Sequence, residues 1–139
     1  VTRRQRQMCI RDRFNVMKHA LIVFLGGGLG SALRYGFGKI FQTVPGAFPM
    51  STFTVNILGC FLIGIFMGYG LKTETLSENQ SILLISGFCG GFTTFSAFAA
   101  ENQLFLKSGD YLQFGLYTGA SILLGLLAVM LGLFFAKQI

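Results

Sequence analysis

Charge is scarce in this 139-residue chain: Asp, Glu, Lys and Arg together make up 12% of it, about half the share of an average soluble protein. An ordinary soluble domain is excluded on that ground. Tryptophan is absent, and there is one histidine, with two prolines and three cysteines. Cys9, Cys60 and Cys89 have no metal-ligand spacing, and two of them fall in apolar stretches, so they read as small core residues and not as a disulfide framework. His19 stands alone at the edge of an apolar run. No nucleophile is placed with a base and no Walker loop is present, so catalysis and nucleotide coupling have no residues to rest on. Gly26-Gly27-Gly28 lies in an apolar stretch with no lysine after it, which is not a phosphate cradle.

What is abundant is hydrophobicity, at 53% of residues with a mean hydropathy of +0.65. The charges gather into clusters that leave 32 uncharged residues between Lys39 and Lys72, 22 between Glu78 and Glu101, and 26 between Asp110 and Lys137. About 20 helical residues rise the roughly 30 Å of a bilayer core, so each stretch is long enough to span. A further stretch from His19 to about Phe41 is interrupted by Arg34. The expected spans are residues 19–41, 51–71, 80–106 and 111–137, forming one four-helix membrane domain over 17–139.

Residues 1–16 fall outside this pattern. They hold five arginines against Asp12, a net +4 out of the chain's +6. With no apolar core or small-residue cleavage site, the stretch is not a signal peptide. It is read as an extraneous basic leader ahead of Met17, the alternative being a tail that touches anionic lipid. The pI of about 9.6 therefore implies no nucleic-acid partner. Loop Lys and Arg normally set orientation. Here Lys18, Lys72 and Lys137 face one side, against Lys39, Lys107 and, if it faces that way, Arg34. So weak a bias allows insertion both ways and an antiparallel pair of copies; tag mapping that found every C-terminus on one side would exclude this.

Glycine, at 19 residues, is about twice its average share. Gly26/Gly30, Gly64/Gly68, Gly87/Gly91 and Gly115/Gly119 are each four apart, so every span carries a small face for close helix approach. Four short helices enclose little alone, which favours a homo-oligomer around any pathway. The third span holds Gly87-Phe88-Cys89-Gly90-Gly91-Phe92-Thr93-Thr94-Phe95-Ser96-Ala97-Phe98, a poor run for a continuous helix. A break is expected there near mid-membrane. Its freed backbone must be buried in protein, face water or hold an ion, unless it is a packing hinge without a ligand.

Glu74, Glu78, Glu101 and Asp110 all fall at or near expected span ends, so no membrane carboxylate is expected. Arg34 either snorkels to the interface or supplies a positive vestibule charge that concentrates anions. Asn56, deep in an apolar run, is either inter-helix glue or an N–H donor to a dehydrated anion. Tyr117 and Ser121 share a helical face and form a short line of hydroxyls. Phe88, Phe92, Phe95 and Phe98 form one stripe; it is either packing surface or a source of positive ring edges for an anion.

Together, Gly27-Gly28-Leu29-Gly30-Ser31-Ala32-Leu33-Arg34-Tyr35, Thr54-Val55-Asn56-Ile57-Leu58-Gly59-Cys60 and the third-span block resemble the Fluc/CrcB family of fluoride channels. The resemblance runs from Met17 to the C-terminus. It implies an all-α integral membrane protein of four transmembrane helices, the third broken near mid-membrane, paired as a dual-topology antiparallel homodimer. It also implies two fluoride pores and a structural sodium ion at the dimer centre, held by backbone carbonyls of Gly90 and Thr93. By the same motifs Phe95 and Phe98 would be the pore rings, Asn56 the amide donor and Arg34 the vestibule charge. Thr94 and Ser96 would be pore-side polar groups, with Tyr117 and Ser121 matching a polar track in the last helix less closely. Ala97 stands where the family usually has a hydroxyl residue and Ser51 where a glycine is common; altered throughput or packing is expected from these, with function unchanged.

The function implied is passive, fluoride-selective export across the cell (inner) membrane, with no enzymatic activity. Two other readings compete. A small dual-topology multidrug exporter shares the spans and the weak charge bias, and a non-transporting assembly subunit would use the glycine faces only for packing.

Overall fold

In the computed structural model, residues 1–42, 44–73 and 76–139 are described, and the regular structure among them is helical. Helix α1 (Arg3–Ile40) starts from Thr2, whose hydroxyl accepts the Gln5 N–H at 3.3 Å while the Gln5 side chain accepts the Thr2 N–H at 2.9 Å. That reciprocal pair is a capping box. The helix passes Val16 and Met17 without interruption, so the basic stretch and the first span form one rod. Its 38 residues would rise about 57 Å, well beyond a bilayer core.

Helix α2 (Met50–Thr73) matches the expected 51–71. Glu74, expected in the turn that follows, lies outside the described residues. Helix α3 covers residues 78–92 in three continuous pieces, Glu78–Ser81, π-helical Ile82–Cys89 and Gly90–Phe92. Ser77 and Gln80 cap its start with a second capping box. Thr93 and Thr94 are extended, and α4 (Phe95–Ser108) resumes beyond them. The expected break therefore falls midway along the span of residues 78–108.

Gly109, at φ 75°, ends α4. Its N–H donates to the Leu106 carbonyl and the Asp110 N–H to the Phe105 carbonyl, a glycine C-cap that reverses the chain. The Asp110 carboxylate then accepts the Gln113 N–H at 3.1 Å and starts α5 (Tyr111–Gln138). Four stretches, Arg3–Ile40, Met50–Lys72, Glu78–Ser108 and Tyr111–Gln138, are long and apolar enough to cross a bilayer. Most of their large apolar side chains lie outward, Phe24 and Leu112 among them, which suits a lipid solvent.

The helices pack mainly in two pairs, α2 on α5 and α1 on α3. Glycine decides both. A Cβ at Gly30 would overlap the Phe88 carbonyl and the Phe92 amide, one at Gly91 the Gly27 backbone, and one at Gly132 the Phe61 carbonyl. A Cβ at Gly64 would overlap the Val129 carbonyl, and one at Gly68 the Ala136 methyl. Three of the four expected glycine pairs thus mark close approaches. The fourth does not: nothing lies within 4 Å of a Cβ at Gly115 or Gly119. The close face of α5 is set further along, at Gly132 and Ala136, because α2 crosses it there.

Candidate functional site

The site is built on the break. In an unbroken helix the Thr94 N–H would donate to the Gly90 carbonyl and the Ala97 N–H to that of Thr93. Here the Thr94 N–H donates to Asn56 Oδ1 at 2.7 Å, and the Ala97 N–H to Thr94 Oγ1 at 3.3 Å. Asn56 Nδ2 donates in turn to the Thr94 carbonyl at 3.1 Å. One amide on α2 thus takes both backbone groups of one residue and holds the chain extended. Thr93 closes the end of α3 by donating its hydroxyl to the Cys89 carbonyl at 2.9 Å, and Ser31 on α1 donates to the Gly91 carbonyl at 3.3 Å. Gly59 keeps α2 close, since a Cβ there would overlap the Thr93 methyl.

Asn56, Thr93, Thr94, Phe95, Phe98 and Ser121 line one open cavity of about 270 Å3, joined by Cys60 and Ile122. Six residues singled out in the sequence, on α2, the break, α4 and α5, therefore meet in one place. The Phe95 and Phe98 rings are 5.7 Å apart, and Phe95 is 78% exposed in the single chain. Ser121 Oγ is buried with no hydrogen-bond partner among the described residues. Ser96 joins at one remove, its hydroxyl 3.3 Å from that of Thr94. Gly90 and Arg34 do not line the cavity: Gly90 is exposed and Arg34 is half-buried on α1.

Tyr117 is fully buried, and its ring centroid lies 5.0 Å from that of Phe98. Its hydroxyl donates to Glu101 Oε2 at 2.7 Å, while the Thr52 hydroxyl donates to Glu101 Oε1 at 2.6 Å. The expectation that no carboxylate lies inside a span is corrected here. The uncharged run ends at Glu101, but α4 continues seven residues to Ser108, which sets the carboxylate about 10 Å inside the helix end. The signal was the spacing: Glu101 follows Phe98 by three, on the same helical stripe. Beside it Asn102, also buried, donates to the Phe98 carbonyl and accepts the Thr118 hydroxyl at 3.1 Å.

The arrangement offers a buried hydroxyl with no partner among the described residues, an amide and two rings around an open, mostly apolar cavity. Those groups replace the hydration of a small anion without a fixed countercharge. At the break, the carbonyls of Gly90 and Thr93 have lost their helical donors, since the Thr94 and Ala97 N–H groups bond elsewhere. Hard oxygen donors of that kind fit a small alkali cation.

The profile of the family described as "CrcB-like protein, Camphor Resistance (CrcB)" matches residues 21–133. Similar proteins include one from Chlorobium phaeobacteroides, 45% identical over 84% of this chain and 91% of its own length. Another, from Flavobacterium psychrophilum, is 46% identical over 88% of this chain and all of its own length. A third, from Phocaeicola vulgatus, is 47% identical over 87% of this chain and all of its own length. All three are named "Fluoride-specific ion channel FluC", a class that is not enzymatic. With its four membrane-spanning helices, the break in the third and a match that spans most of its length, the chain belongs to the CrcB-like family of multi-pass membrane proteins.

Proposed function

We propose that this chain is one subunit of a fluoride-selective passive anion channel that releases cytoplasmic fluoride down its electrochemical gradient. The observation that carries the reading is the cavity at the break. Ser121 Oγ is buried there with no hydrogen-bond partner among the described residues, beside Asn56, Phe95 and Phe98. Fluoride sheds water only where donors take its place, and a narrow gap rejects larger chloride. Ser121 supplies a hydroxyl donor, and Asn56 keeps one N–H of its amide beyond that given to Thr94. The Phe95 and Phe98 rings contribute positive edges, Thr94 and Ser96 extend the polar groups at the break, and Tyr117 continues the track behind Phe98 toward Glu101. Arg34, away from the cavity, raises anion concentration at the approach.

The same reading pairs two antiparallel copies. Supporting it are the weak charge bias, the exposed Phe95 ring and the outward Gly90, which leave the break half-covered in one chain. A structural sodium ion would be held by the Gly90 and Thr93 carbonyls of both copies; it supplies a fixed positive charge between the halves. Glu101 removes the missing carboxylate as an argument against a drug exporter, so the choice rests on the family and on the donor set.

The test is efflux from liposomes that contain the purified protein, read by a fluoride electrode beside a chloride control. Fluoride release without chloride release is expected. Silence from an intact, folded assembly would overturn the channel reading in favour of an assembly subunit or an exporter of organic cations.

A further inference from the structure

We infer that the chain carries a second site, for a small hydrophobic ammonium ion, in the cavity between the α1–α2 loop and α4. The cavity holds about 420 Å3. One wall is the turn Val44–Ala47, where the Ala47 N–H donates to the Val44 carbonyl at 3.0 Å and Gly46 has φ 85°. Proline second and a positive-φ glycine third make a type II turn, so this lip is preformed. From α4 the lining takes Glu101, Leu104 and Phe105. Among the described residues no Lys or Arg pairs with Glu101, whose carboxylate accepts the hydroxyls of Thr52 and Tyr117.

Each carboxylate oxygen keeps a lone pair beyond the bond it accepts. A negative charge among apolar walls is stabilised most by a cation that brings its own apolar body, and the neighbouring Phe105 ring favours a cation over a neutral guest. Metal cations lack that body. Because Glu101 also holds Tyr117, whose ring meets Phe98, an occupant abuts the proposed fluoride path. Occupancy therefore blocks efflux; this consequence rests on the channel reading, whereas binding does not.

The experiment compares aminoadamantane with adamantanol, its neutral counterpart. Calorimetric titration of the full chain in micelles reads binding, and fluoride efflux from proteoliposomes reads block. The amine is expected to bind and to inhibit about tenfold more strongly than the alcohol. Leu104→Trp, which fills the apolar part of the cavity, should weaken amine binding about tenfold in the calorimetric titration, whatever its own efflux. Ala47→Phe fills it from the turn if that variant fails to assemble. Equal binding of amine and alcohol, or undiminished binding to a filled-cavity variant, would overturn the site. An inert wild-type channel that still prefers the amine would instead overturn only the fluoride reading.

Discussion

Ser121 and Asn56 separate two ways in which a polar residue can matter in a membrane bundle. Ser121 Oγ makes no hydrogen bond among the described residues, so Ser121→Ala breaks none there. Its thermal midpoint in detergent should match wild type while fluoride efflux falls several-fold; a lower midpoint with unchanged efflux would make the hydroxyl structural. Asn56 instead binds both backbone groups of Thr94. Asn56→Ala should cost about 1–2 kcal/mol of stability as well as flux, since inter-helix hydrogen bonds in membranes contribute about 0.6–2 kcal/mol each. Asn56→Asp keeps the acceptor for the Thr94 N–H but removes both N–H donors and sets a carboxylate beside the proposed anion path, so its efflux should fall at least as far as that of Asn56→Ala. Wild-type efflux from the Asp variant would overturn the donor role of Asn56.

At the scale of elements, contact between helices is a matter of backbone distance. Gly132 meets the Phe61 carbonyl and the Ile65 amide, which are backbone atoms and cannot swing aside. Gly132→Val should therefore lower stability by about 1–3 kcal/mol, the usual range for overpacking, read as a lower thermal midpoint. Gly119 has open space around it in the single chain, and alanine is the better helix former by about 1 kcal/mol. Gly119→Ala should leave the midpoint equal or higher; a loss of assembly would instead place Gly119 at a contact between copies. The two glycines look alike in sequence, each inside an apolar run of α5. Only the crossing point of α2 tells them apart.

For the whole molecule, the single chain leaves its site open on one side, and the proposed second copy closes it. In sealed vesicles, C-terminal tags should be accessible on both faces in comparable amounts. Uniform orientation would exclude the antiparallel pair. Replacing sodium by a large organic cation should weaken pairing and efflux together if the Gly90 and Thr93 carbonyls hold that ion. Efflux and pairing that ignore sodium at any concentration would leave those carbonyls to water or to the partner's backbone.

By itself, the sequence determined four long apolar helical stretches, a break near the middle of the third and the glycine faces of three helices. These are local consequences of hydropathy length and of backbone freedom, which neighbouring residues set. It also carried the motifs by which Asn56, Phe95, Phe98, Thr93, Thr94 and Ser121 were chosen. Tertiary structure alone decided that these six share one cavity, that Asn56 occupies itself with Thr94, and that Tyr117 gives its hydroxyl to Glu101. Those pairings join residues on different helices, whose rotation and depth depend on where glycines let backbones touch. A reading along one helix at a time places a side chain on a face, but what that face meets is set by the other three.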